Sequence, residues 1–247
     1  MIKAVIFDMY ETLITQYGDA KDIPKDRSGL HLMHGPCIYF RAQMAEDAGI
    51  DRDTFDACWE PTEEARTIGQ VTLEEAIEGI LKENNCYSTE RFEKIIKSRK
   101  EAKKACFRYL HPEMIPMLHA LKEKQMKVAL ISNCFSEEVD AIRESVLFPY
   151  FDKAYLSYEQ GVKKPDAEIF RRCLADLQVK PGECLYIGDG GSHELEAASQ
   201  AGMHAMQARW YISKVPFLDE KKEAFKQLDS PMDVLMYIFA QKTKRTK

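Results

Sequence analysis

The chain reads as an α/β protein, a doubly wound core on a parallel sheet with an all-helical cap inserted into it. Three observations predict this. Residues 2–7, 128–131 and 184–187 are short, almost wholly apolar runs rich in β-branched residues, the composition of strands buried on both faces. Helical patterns alternate with the second and third runs, which implies right-handed crossovers and parallel strands. Between the first and second runs, residues 16–109 abandon the alternation and read as almost entirely helical.

Taken in order, residues 2–7 form the first strand and end in Asp8. In the insert, residues 36–48 are expected to form a helix, with Pro36 in its first turn, Gly49 as its stop and Phe40, Met44, Ala45 and Ala48 at helical spacing. Thr72 and Glu75 make a capping-box pattern that opens a helix to about Asn84. Phe92, Ile95 and Ile96 lay an apolar face on a further helix that runs to about Phe107. Beyond the insert, helices are predicted at 112–124, 136–146, 166–177, 193–201 and 231–241, with weaker strands at 154–157 and 203–207. The expected division is a core of residues 1–15 and 110–247 and a cap of residues 16–109. Such a cap, seated over the carboxyl edge of the sheet, can exclude water and select substrate. Four basic residues among 242–247 read as a solvated tail.

Composition narrows the class without naming a chemistry. With 45% hydrophobic and 30% charged residues, 247 residues can bury a sizeable core without disulfide or metal staples. A formal net charge of -5 argues against nucleic-acid or membrane-surface partners. Seven scattered cysteines without a CxxC pair suit reduced thiols and a cytoplasmic location. The apolar stretch in MIKAVIFDMY is too short for a secretory leader, and no run approaches the length of a membrane span.

The polar residues that end the strands carry the chemistry. Asp8 follows the first run, Ser132 and Asn133 the second, and Gly188 and Asp189 the third. In open α/β sheets ligands bind outside the carboxyl ends of the strands, so these endings are expected to share one crevice. Lys164, ahead of Pro165 and Asp166 at a helix start, and Glu194, five residues after Asp189, complete the set. Two carboxylates brought together repel unless a cation sits between them, and hard oxygen ligands suit Mg2+. A nucleophilic carboxylate, a lysine for an oxyanion, a hydroxyl from Ser132 and a metal are the parts that phosphoryl transfer through an aspartyl-phosphate needs.

These motifs resemble those of the haloacid dehalogenase-like hydrolase superfamily, in the branch with a helical cap inserted after the first motif. VIFDMYETL is similar to its first motif, LISNC to its second, GVKKPDAEIF to its third and YIGDGGSHELEAASQAGM to its fourth. The resemblance implies that Asp8 is the nucleophile, and that Asp8, the main-chain carbonyl of Tyr10 and Asp189 hold Mg2+, with Glu194 in or just beyond the inner shell. Ser132 and Lys164 fall to the phosphoryl group, Asn133 of the second motif joins Asp8, Tyr10, Ser132 and Lys164 as a catalytic candidate, and a small phosphorylated metabolite is the implied substrate.

Two positions depart from the phosphatase pattern. Tyr10 stands where phosphatases of the family usually have the Asp that protonates the leaving group, and a phenol of pKa roughly 10 is a poor base near neutrality. The family's 2-haloacid dehalogenases also carry Tyr there, which makes metal-free halide release through an Asp8 ester an alternative. Arg41 lies loosely where such an enzyme places its halide-binding arginine, although a solvated place on a cap helix explains it as well. A binding or regulatory protein without turnover is a third reading. Glu11 replaces a usual Gly and reads as a solvent-facing turn residue that has the chemistry to act as the missing acid. His31 and His34 precede the first cap helix and titrate in the useful range. Cys134 reads as a small buried thiol, and Trp59, Arg209 and Trp210 are candidates to line a pocket, with packing the default explanation.

Overall fold

The structure is a computed structural model that describes residues 1–243, with side chains through residue 240. The side chains of the basic tail expected at 242–247 lie outside the described residues. Six parallel strands form one sheet in the order β3-β2-β1-β4-β5-β6. They are β1 (Ala4–Phe7), β2 (Lys127–Ser132), β3 (Lys153–Leu156), β4 (Cys184–Gly188), β5 (His204–Ala208) and β6 (Lys226–Leu228). The helices before β2 are α1 (Arg41–Ala48), α2 (Arg52–Trp59), α3 (Glu63–Thr67), α4 (Leu73–Glu83), α5 (Thr89–Ala105) and α6 (Met114–Glu123). Those after it are α7 (Ser136–Arg143), α8 (Ser157–Gln160), α9 (Ala167–Leu177), α10 (Glu194–Gln200) and α11 (Met232–Thr243).

The apolar strands are explained by the two-sided burial that their composition requires. Val5, Phe7, Val128, Leu130, Leu185 and Ile187 face a cluster with α6, α7 and α11. Their neighbours Ala4, Ile6, Ala129, Ile131 and Tyr186 point the other way, against α9 and α10. Each large aliphatic side chain so buried contributes about 1.5–3 kcal/mol, and a slip of one residue would exchange the two faces. Phe7 stands in register with Leu130 on one side and Ile187 on the other. That register sets Asp8 and the residues after β2 and β4 on the same sheet edge.

The helical insert has a core of its own, built from Met44, Ala48, Phe55, Leu73, Ile77, Ile80 and Ile95 among others. Thr72 and Glu75 form the expected capping box at the start of α4. Two expectations need correction. α1 begins at Arg41 rather than near Pro36: a turn at 35–38 closes through the Ile38 N–H and Gly35 carbonyl, and the Gln43 side chain caps the Phe40 N–H at 2.9 Å. The insert is also less uniformly helical than its composition suggests, with irregular backbone at 16–26 and 33–40. β6, three residues at the sheet edge, carries no apolar run and has no counterpart in the sequence reading.

The insert is seated on the core by buried charge. Arg99 and Lys103 on α5 pair with Glu137 and Glu138 on α7, at 3.1 and 2.6 Å. Ser157, at the start of α8, donates to the Thr67 carbonyl at the end of α3. Gly69, with φ of +77°, presses so closely on the Tyr158 carbonyl that a Cβ there would collide with it. Among the described residues no helix is long and apolar enough to cross a membrane.

Candidate active site

The carboxyl edge of the sheet gathers the strand-end residues. Asp8 is almost fully buried directly after β1, its N–H bonded to the Ile187 carbonyl of β4. One of its carboxylate oxygens lies 2.5 Å from Lys164 Nζ and also accepts from the Met9 N–H. Lys164 is 2% exposed, and its ammonium donates as well to the Tyr186 hydroxyl at 3.3 Å. Asn133 fixes this lysine in place: its side-chain amide donates to the Lys164 carbonyl at 3.0 Å and accepts from the Lys164 N–H at 2.8 Å. The Asn133 side chain is thereby committed to positioning. Ser132 ends β2 fully buried on the same edge.

Asp8, Asp189 and Glu194 bring carboxylate oxygens within 4.8 Å of one another. Burial and then the neighbouring Glu194 and Asp8 push the Asp189 carboxyl well above the usual range. Burial also holds Asp8 above its ordinary value, with Glu194 adding to the rise and Lys164 opposing it. Three acids against one lysine make a site short of positive charge, and the all-oxygen donor set fits a divalent ion such as Mg2+. Glu194 is oriented by the N–H groups of Gly190 and Ser192, both at 2.7 Å. A Cβ at Gly188 would stand 2.6 Å from a Glu194 oxygen, so glycine is what lets this carboxylate lie against the strand end. Gln207 on β5 donates to the Asp189 carbonyl, and Trp210 donates to the Thr12 carbonyl and anchors the turn after β1.

Tyr10 is carried by that turn, yet its ring is turned toward the helical insert. Lys103 Nζ sits 4.6 Å from the ring centroid, and the buried hydroxyl has no hydrogen-bond partner among the described residues. Burial, followed by Glu138, drives the phenol well above its ordinary value, so this side chain is no base near neutrality.

The solvent-facing reading of Glu11 is overturned. Glu11 is 3% exposed and adopts φ of +54°, the left-handed conformation that suits the family's usual glycine. Its oxygens accept from Thr15 Oγ1 at 2.8 Å and the Gln16 N–H at 3.0 Å, and burial raises its carboxyl to about 7.

The remaining candidates lie apart from the edge. His31 and His34 are exposed, and His31 Nδ1 is engaged by the Ser28 carbonyl. Arg41 is held by Glu60 at 2.5 Å and Asp56 at 3.5 Å. The Cys134 thiol is buried, which pushes its pKa up and leaves it inert. Sequence reasoning missed Tyr186, which reads as one more apolar strand residue, and Arg66, which lines a cleft of about 360 Å3 beside the edge together with Trp59, Phe135, Gln16 and Tyr17. Tyr17 on that wall feels the charge of both Glu11 and Asp189.

Comparison with known proteins follows the same lines. A glyceraldehyde 3-phosphate phosphatase from Methanopyrus kandleri is 31% identical over 134 residues, 52% of this chain and 57% of its own length. The chain thus spans little more than half of that relative. A 2-haloacid dehalogenase from Pseudomonas syringae pv. Tomato DC3000 shares the fold at a TM-score of 0.62 and 20% identity, over 98% of this chain and 99% of its own. A HAD family enzyme from Bacteroides thetaiotaomicron, solved with magnesium and inorganic phosphate, aligns at a TM-score of 0.56 and 18% identity over 91% and 98% of the two chains. The family model for haloacid dehalogenase-like hydrolases matches residues 2–202. That span takes in four of the six strands and the entire helical insert, and the chain belongs to the haloacid dehalogenase-like hydrolase family.

Proposed function

We propose that the protein is a Mg2+-dependent phosphohydrolase that acts on a small phosphorylated metabolite through an aspartyl-phosphate on Asp8. The observation that carries this reading is the buried Asp8–Lys164 pair set among the carboxylates of Asp189 and Glu194. Asp8, Asp189 and the main-chain carbonyl of Tyr10 would hold the ion, with Glu194 beside them. Bound there, Mg2+ supplies charge neutralisation for the phosphoryl oxygens.

Asp8 attacks phosphorus while the bond to the leaving oxygen breaks, and the released alkoxide or phenoxide takes up a proton. Water then attacks the aspartyl-phosphate, frees inorganic phosphate and restores the carboxylate. Lys164 and Ser132 bind the phosphoryl oxygens, and Asn133 keeps Lys164 at its post. Since the Tyr10 phenol is turned away and hard to ionise, good leaving groups should react faster than alkyl ones. The cap is assigned to residues 16–109 and the core to 1–15 and 110–247. Seven unpaired thiols support a cytoplasmic setting.

The dehalogenase reading gains nothing from Arg41, whose guanidinium is occupied by acids. The test is hydrolysis of p-nitrophenyl phosphate with Mg2+ or with EDTA, beside halide release from 2-chloropropionate. Activity that needs Mg2+ and falls at least about 1,000-fold in Asp8→Asn is expected. Halide release in EDTA, or turnover that survives Asp8→Asn, would overturn the proposal.

A further inference from the structure

The cleft beside the sheet edge is rich in arginine, and one of them is left with binding capacity. Arg41 and Arg52 share Asp56, Arg99 is held by Glu137, and Arg27 lies over the Phe217 ring. Arg66, from α3, differs. It is 1% exposed, it forms no ion pair among the described residues, and its Nη1 is buried without a hydrogen-bond partner. Its Nε donates to Thr62 Oγ1 at 2.8 Å. The guanidinium lies 3.6 Å from the Trp59 ring centroid and 4.5 Å from that of Phe135. Glu137, the acid that pulls on it most, gives one oxygen to Arg99, and its other oxygen is buried without a hydrogen bond to Arg66 or to any other described residue.

An unpaired guanidinium donor in a buried site is destabilising unless something arrives to satisfy it. Burial lowers the Arg66 pKa only to about 10, so the group is charged near neutrality. Stacking on aromatic rings occupies a guanidinium face and leaves its in-plane edge for an acceptor. A carboxylate can meet that edge through two parallel hydrogen bonds, and the phosphate end of the substrate is already assigned to Lys164 and Ser132. Phe135, at the N-cap of α7, lines the cleft and follows the β2-end residues Ser132 and Asn133 by three and two positions in the chain.

We propose that Arg66 receives a carboxylate of the substrate, which makes the preferred substrates phosphate monoesters that also carry a carboxylate. This rests on the phosphohydrolase reading for the phosphate end and on Arg66 for the other. With p-nitrophenyl phosphate as reporter substrate, 3-phosphoglycerate and glycerol 3-phosphate, which differ by a carboxylate against a hydroxymethyl group, are compared as competitors. The inhibition constant should favour 3-phosphoglycerate by about 30-fold in the wild type, by less in Arg66→Lys, which loses the fork, and by under about threefold in Arg66→Met. Equal inhibition by the two esters, or an undiminished preference in Arg66→Met, overturns the proposal.

A second measurement needs neither turnover nor a folded Arg66 variant. Malonate, which has carboxylates and no phosphorus, should change the fluorescence of Trp59 saturably in wild-type and Asp8→Asn protein, read against Trp59→Phe. No such response overturns the role of Arg66. Absence of p-nitrophenyl phosphate hydrolysis alongside a malonate response would instead sink the phosphohydrolase reading and leave the carboxylate site standing.

Discussion

Glu11 and Tyr10 are adjacent and show how far one residue's surroundings can reverse its chemistry. Tyr10 stands where family phosphatases place an acid, and the turn delivers its phenol to Lys103 and Glu138 instead of to the strand edge. Glu11 lies buried with its oxygens on Thr15 and Gln16. Because burial raises its carboxyl from 4.5 to about 7, the folded state holds this proton more tightly than the unfolded chain. The sign follows: the contribution to stability is complete below pH 4.5 and is lost as pH rises through about 7. In metal-free protein the loss is roughly 3 kcal/mol, and urea titrations across that window should show Glu11→Gln with a flatter profile than the wild type. A parallel profile in the two proteins would remove Glu11 as the cause. The burial of Glu11 was not legible in the sequence, where Glu after Tyr reads as a turn residue; the turn that carries it is pinned through the Thr12 carbonyl by Trp210, nearly two hundred residues away. The places of Asp8 and Asp189 at strand ends were legible because an apolar run stops there, and those of Lys164 and Glu194 because they stand at helix starts. Arg66 was not, since its partners Trp59 and Phe135 come from two different elements and only folding brings them together.

Helices α1 to α5 make up the insert, and two buried ion pairs join it to the core. α5 is fastened to α7 by Arg99–Glu137 and Lys103–Glu138, both pairs nearly excluded from water. Breaking a buried pair by removing one partner costs about 3–5 kcal/mol, so Lys103→Met should lower the unfolding free energy by an amount in that range. Although burial opposes it, Lys103 and Arg99 together hold the Glu138 carboxyl below its usual value. A depressed acid stabilises the fold above pH 4.5 and loses that contribution as pH falls through its lowered pKa, so acid should loosen this seam. Chemical denaturation of wild type and Lys103→Met at pH 7 and pH 3 checks both statements, and an undiminished wild-type stability at pH 3 would contradict the second. A different contact is set by sterics. Gly69→Ala would place a methyl group against the Tyr158 carbonyl at a positive φ, so a loss of about 2 kcal/mol or more and a raised KM are expected. Melting and steady-state kinetics on one preparation decide it; a variant with wild-type KM would show that this contact does not shape the cleft. The α4 capping box and the face of α5 were readable from spacing, whereas the late start of α1 was hidden because Pro36 suits a turn as well as a helix start.

For the molecule as a whole, the charge at the strand edge sets a debt that a cation relieves. Asp189 is held well above its ordinary range by burial and by two neighbouring carboxylates. Mg2+ that binds the folded state alone should raise stability by about 2.7 kcal/mol at a hundredfold excess over its Kd. Thermal melts with Mg2+ and with EDTA read this directly; the gain should vanish in Asp189→Asn, and an equal gain in that variant would point to binding elsewhere. The parallel sheet was legible from three apolar runs, while β6, with Lys226 and Gln227 ahead of its one buried residue, is a strand only because β5 offers it an edge. The strand order also carries a consequence for how the chain is made. β1 lies between β2 and β4, and its residue Ala4 pairs with Lys127 and Cys184. At about 5–20 residues per second of synthesis, β1 waits on the order of ten seconds for its first partner. During that interval an entirely apolar strand has no sheet to join, and only the helices that follow it can form locally. The insert therefore has time to fold before Asp8 has a site to belong to.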